Sequence, residues 1–338
     1  MRFHGFDALR VFFCVCVSYW HIVAAPKVTR FAPDILQGFV PTGTDILSMN
    51  LLLLAVPVFM QVSMFLYVLN RETKADYFPR RMRQLFIMTL FWATAHNIIL
   101  EMDVRLFLVS LPYFLGYLIS TNTSFYFLVS LMIWTAGYEA VRRVFPAGEL
   151  SAARATGLWV ASMLVMLAAP WFFQGVLQLP YYYWNPMTFI PYLFGGILVR
   201  SLLDNGTLDD ASRAGRVVGC LTALWLVLSV LEWVFLSRIA WPGYPDKYIM
   251  PPYARASLCV GALAIVCGAM AFFRKHHPLL ERLAGLSFGV FCLHLLLNHW
   301  LAPFFSMFAV TDKTVQYVLV LMLSFAVTYC LKRYPWLV

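Results

Sequence analysis

Ten times between residues 9 and 332 the chain enters an apolar stretch long enough to cross the ~30 Å hydrocarbon core of a bilayer. The stretches are 9–25, 47–69, 82–100, 123–142, 154–172, 186–203, 215–237, 252–273, 284–304 and 314–332. Only 12% of the residues are charged, about half the ~25% of a soluble domain. A soluble fold is excluded. The expected architecture is all-α and polytopic, with about ten transmembrane helices in a single membrane domain, 1–338. No internal repeat, low-complexity tract or large soluble insertion interrupts it. The apolar segment Leu106–Ile119, broken by Pro112, is too short for a span and reads as interfacial or re-entrant.

The formal charge of +9 follows from topology. With the N-terminus inside, eighteen of the 25 Lys and Arg residues fall on the cytoplasmic side. The positive-inside rule then places both termini in the cytoplasm, which requires an even number of spans. Nucleic acid is not expected as a partner, because orientation already accounts for the basicity. The first stretch, from Arg2 to Ala25, also has the form of a secretory leader. Cleavage would leave nine spans with the termini on opposite sides, so the stretch is read as the first span. The seven cysteines all lie in apolar segments without Cys-x-x-Cys or zinc spacing, so neither a disulfide framework nor a metal is expected.

Chemistry-bearing residues inside such stretches are few. Arg10 and His21 stand eleven residues apart, three helical turns plus about 20°, and so on one face of a regular α-helix. An imidazole at membrane depth is a potential general base near neutral pH; its other reading is a packing histidine bonded to a carbonyl. Arg10 could bind an anion or only snorkel to the interface, and Cys14 on the same stripe could carry an acyl group or simply pack. Arg80, Arg81 and Arg83 open the third stretch, where they could fork onto phosphates or act as a topogenic cluster. Ser287 and His294, seven residues apart, share a face of the ninth. The outer-loop aromatics Trp184 and Trp241 could stack on a sugar or belong to the interfacial belt. No carboxylate sits clearly at mid-bilayer, which weighs against a proton-coupled transporter.

In chain order these residues resemble the acyltransferase 3 family of integral-membrane O-acyltransferases. Arg10, ten residues and His21 resemble its first-span signature. Val56-Pro-Val-Phe-Met-Gln-Val-Ser63-Met-Phe-Leu66 resembles its second span, and Tyr77-Phe-Pro-Arg80-Arg-Met-Arg83 its basic motif. Phe125-Tyr-Phe-Leu128, Tyr192-Leu-Phe-Gly195 and Ser287-Phe-Gly-Val-Phe-Cys-Leu-His294 resemble the fourth, sixth and ninth. Met64 replaces the usual Gly, Phe125 replaces a common Trp, and the Pro expected just after the basic motif is absent.

The resemblance implies a stand-alone enzyme of the inner (cytoplasmic) membrane. It would move an acyl group, commonly acetyl from acetyl-CoA, to a hydroxyl of a cell-envelope glycan or lipid-linked sugar. His21 would be the general base. Arg10, Arg80, Arg81 and Arg83 would hold the CoA moiety, and His294 would shape the acceptor site with Ser287 and Trp184. The competing expectation is a transporter or flippase for a lipid-linked sugar or organic anion.

Overall fold

The computed structural model describes residues 3–24, 43–96, 98–99, 125–144, 150–179, 181–182, 184–235 and 253–333. Most of the first outer loop, the 101–122 segment and the 238–251 loop with Trp241 lie outside them.

Helix α1 (His4–Tyr19) continues as a π-helical turn, Trp20–Ala24. A short α2 (Gly43–Leu51) and one 3₁₀ turn lead into α3 (Ala55–Thr73), which is followed by α4 (Tyr77–His96) and α5 (Tyr126–Val144). Then come α6 (Ala152–Trp171), α7 (Ile190–Asp204), α8 (Ala211–Phe235), α9 (Ala256–Phe272), the short α10 (Pro278–Ala284), α11 (Ser287–Met307) and α12 (Lys313–Leu331). No strand occurs among the described residues. Each of the ten apolar stretches carries a helix, and seven of these are long and apolar enough to cross a membrane on their own. The other three are α4, weighed down by Arg80, Arg81 and Arg83, α5 with Glu139, Arg142 and Arg143, and α9 with only 17 residues. The protein is an all-α polytopic membrane protein.

One end of the bundle gathers the basic residues. There the His4 ring lies 5.1 Å from His276, and Arg274 donates to the Leu208 carbonyl at 2.8 Å. Ser201 donates to the Leu150 carbonyl at 3.0 Å, and Arg200 pairs with Glu72 at 3.2 Å. The basic stretch 71–83 is mostly helical, since α3 runs to Thr73 and α4 starts at Tyr77. Arg71 leaves the basic cluster by forking onto Glu139, Nε to Oε1 at 2.9 Å and Nη2 to Oε2 at 3.2 Å. Tyr67 and Arg142 complete that carboxylate's shell, at 2.6 and 2.9 Å, and so staple α3 to α5.

The opposite end is held by a different cluster. Arg255 is fully buried; its Nε meets Glu232 Oε2 at 2.9 Å and its Nη1 donates to the Met49 carbonyl at 2.9 Å. Its Nη2 donates to Asn50, and Ser257 donates to Glu232 through both its hydroxyl and its backbone N–H. The start of α9, the end of α8 and the end of α2 are thereby joined through one ion pair. Arg255 is buried there because the Glu232 carboxylate on α8 meets its charge.

Between these ends α3 is central and α8 peripheral: 72% of an 18-residue apolar window within Met49–Thr73 is buried, against 17% of one within Ala211–Phe235. Leu226, Val230 and Phe235 of α8 project outward, as residues facing lipid do. Without a hydrophobic drive between helices in lipid, association depends on close packing at small residues. A Cβ on Gly196 of α7 would stand 2.9 Å from backbone atoms of Met64 and Phe65 on α3. One on Gly5 would stand 2.2 Å from the Ala269 carbonyl oxygen on α9. Gly196→Ala should therefore lower thermal stability in detergent, by about 1–3 kcal/mol for an overpacked contact. An unchanged melting temperature would show that α3 and α7 can separate without cost.

Candidate active site

A cavity of about 330 Å³ opens among α1, α3, α4, α5 and the α10–α11 junction. Its polar lining is Arg10, Ser63, Arg81, Gln84 and Ser287, and no acid is among the described residues that line it. Arg81 reaches it because residues 81, 84, 85 and 88 form one helical stripe of α4, and all four line the wall. Arg80 and Arg83 face away. Arg80 is exposed and paired with Asp76 of the preceding turn at 3.1 Å, and Arg83 is exposed. Of the three arginines in the motif, the fold brings Arg81 to Arg10 and leaves the other two at the surface.

Ser287 is the first residue of α11, and its hydroxyl donates back to the Ala284 carbonyl at 2.9 Å. Leu286 before it provides no side-chain cap, and the first residues of the helix, Ser287 and Phe288, line the cavity. Cys14 is fully buried and donates its thiol hydrogen to the Ser287 carbonyl at 3.2 Å. It ties α1 to α11 and has no open face for an acyl group.

Phe291 and Phe127 line the cavity with their rings 4.9 Å apart, and Phe125 lies 6.3 Å from Phe291. The Phe291 ring is also 5.8 Å from the His294 ring. The rings of His21 and His294 face each other, centroids 5.4 Å apart and tilted by 39°. His294 is fully buried and His21 partly so. His21 faces His294 inside the bundle rather than lipid. The regular α-helix ends at Tyr19, and His21 sits in the π turn that follows. π turns of this kind occur often at functional sites.

A third histidine packs on the same turn of α11. His96, at the end of α4, is buried; its Nε2 donates to the Cys292 carbonyl at 2.9 Å, and its ring lies edge-on to Phe125 at 4.6 Å. Sequence reasoning passed over it, because a single histidine near the end of an apolar stretch has no spaced partner. Among the described residues no three metal-ligating side chains are arranged to hold an ion. Trp184 lies in the loop before α7, stacked on Tyr182 at 5.1 Å.

An apolar helical bundle with a cavity lined by two arginines, and by no acid among the described residues, is the frame of an integral-membrane protein. A protein-family model described as an acyltransferase domain, that of the acyltransferase 3 family, matches residues 3–333. The chain belongs to that family, and is a membrane acyltransferase. No curated protein and no solved structure matches it.

Proposed function

We propose that the protein moves an acyl group, in the simplest case acetyl, from acyl-CoA to a hydroxyl of a cell-envelope glycan or lipid-linked sugar at the inner membrane. The observation that carries this reading is that Arg10 and Arg81 line one cavity, with no acid among its described lining residues, and that Phe291 of the same lining packs against the His294 ring. The donor's phosphates suit two guanidiniums and an uncapped helix N-terminus. Arg80 and Arg83, exposed on the same turn of α4, draw the anionic donor in from solvent. His21 takes the proton of the acceptor hydroxyl as its oxygen attacks the thioester carbonyl. The C–S bond breaks, and the departing thiolate takes that proton back from the imidazolium. A protein-lined interior shelters the thioester from water. Ser287 and His294 shape the reacting end, and Trp184 offers a flat face to a sugar ring.

Each charged hydrogen bond is worth about 1.5–3 kcal/mol. Replacing both Arg10 and Arg81 by alanine should therefore weaken acetyl-CoA binding to the purified protein at least about 100-fold, if each contributes one. Replacing Arg80 and Arg83 should weaken it less and mainly slow association. Unaltered affinity in the first variant would leave the cavity without a donor. Mass spectrometry of envelope glycans from cells with and without the protein identifies the acyl group and the sugar. Identical spectra would remove the acceptor half of the reading.

A further inference from the structure

The two facing imidazoles are not equivalent. His294 Nδ1 lies 2.6 Å from the Phe291 carbonyl oxygen of its own helix. A carbonyl only accepts, so Nδ1 carries the hydrogen and the lone pair of the neutral ring is on Nε2. That Nε2 is buried and has no hydrogen-bond partner among the described residues. An unsatisfied buried acceptor costs stability, and in a native interior it calls for an explanation. The ring His294 faces is His21, 5.4 Å away between centroids.

We infer that His294 is a positioning residue for His21: its fixed Nε2 lone pair is the acceptor toward which an N–H of His21 turns. This rests on His21 being the base. The consequence is a choice of tautomer. With one His21 nitrogen donating to His294, the other is left as the lone pair that meets the acceptor hydroxyl. When that nitrogen takes the proton, the ring becomes a cation and its N–H to His294 becomes a charge-assisted bond, shorter and stronger than the neutral one. No proton leaves His294, and none is lost overall, since the imidazolium returns its proton to the CoA thiolate. The logic is that of the third member of a catalytic triad, which holds the base in one tautomer and steadies its charged form. Here a neutral imidazole replaces the carboxylate, which suits a membrane interior where a permanent charge is costly.

His96 supports the arrangement from a second helix. It donates to the carbonyl of Cys292, next in the chain to the Phe291 carbonyl that fixes His294. Two consecutive carbonyls of α11 thus each hold an imidazole, and the turn that carries His294 is braced from α4.

The test uses membrane vesicles containing the full-length protein and the cells' own glycans, supplied with radiolabelled acetyl-CoA. His294→Leu should lower the maximal rate of label transfer about 100-fold with little change in KM for acetyl-CoA. His294→Gln, whose amide oxygen can still accept from His21, should recover at least about tenfold over leucine. A role in packing alone would not distinguish an amide from an isobutyl group at equal thermal stability. Where the leucine variant does not accumulate, His294→Asn, too short to reach His21, takes its place. Equal rates for the glutamine variant and its control, or a wild-type rate in either control, would overturn the inference while leaving the acyltransferase reading intact. Wild-type vesicles that transfer no label would overturn both.

Discussion

With His21 replaced by alanine, membranes should hold ordinary amounts of folded protein that binds acetyl-CoA normally, yet transfer acyl groups about 10²–10⁴-fold more slowly. That range is what positioned general acid–base catalysis contributes. The separation of binding from rate follows from geometry. Arg10 and Arg81 line the cavity, whereas His21 is not among its described lining residues and packs with His294. Loss of the ring should not disturb the phosphate end. It is also not part of the tightest packing, being only partly buried at the π turn where α1 ends. Glycan acylation and acetyl-CoA affinity, measured on the same preparation, check both halves. Undiminished acylation would assign the base elsewhere, and parallel loss of affinity would make His21 a binding residue.

The largest effect on stability belongs to Glu232. Its carboxylate is the counter-charge of a fully buried guanidinium and accepts from both the hydroxyl and the backbone N–H of Ser257. Glu232→Ala leaves Arg255 charged and unpaired in the interior, and breaking such a pair from one side costs about 3–5 kcal/mol. Removing both charges, as Glu232→Leu with Arg255→Met, should recover most of that loss, because the penalty lies in the orphaned charge more than in the missing attraction. Thermal unfolding of the two variants in one detergent decides it. A double variant less stable than the single one would mean that the ion pair contributes net attraction.

The sequence announced the helices because a bilayer imposes one strong rule on composition and length, and each stretch satisfies or fails it without reference to the others. It announced Arg10, His21, Ser287 and His294 because they recur at fixed spacings in a collinear set of motifs. What it withheld depends on helix rotation and on contacts far apart in the chain. Arg81 rather than Arg80 or Arg83 enters the cavity, since neighbouring side chains on a helix point about 100° apart. The apolar pair Leu85 and Met88, in stripe with Arg81 and Gln84, was the one local hint of which face turns inward. Glu139 meets Arg71 across 68 residues, Glu232 meets Arg255 across 23, and His96 meets Cys292 across 196. No spacing rule reaches that far. The π turn was equally hidden, because one residue of extra winding leaves no mark in hydropathy.

Phe291 and Phe127 both line the arginine cavity, and Phe291 also packs against the His294 ring. If the proposed transfer carries an acyl group from one compartment to an alcohol in another, this aromatic contact is where ions would have to be held back, so trimming Phe291 to alanine tests conductance as well as catalysis.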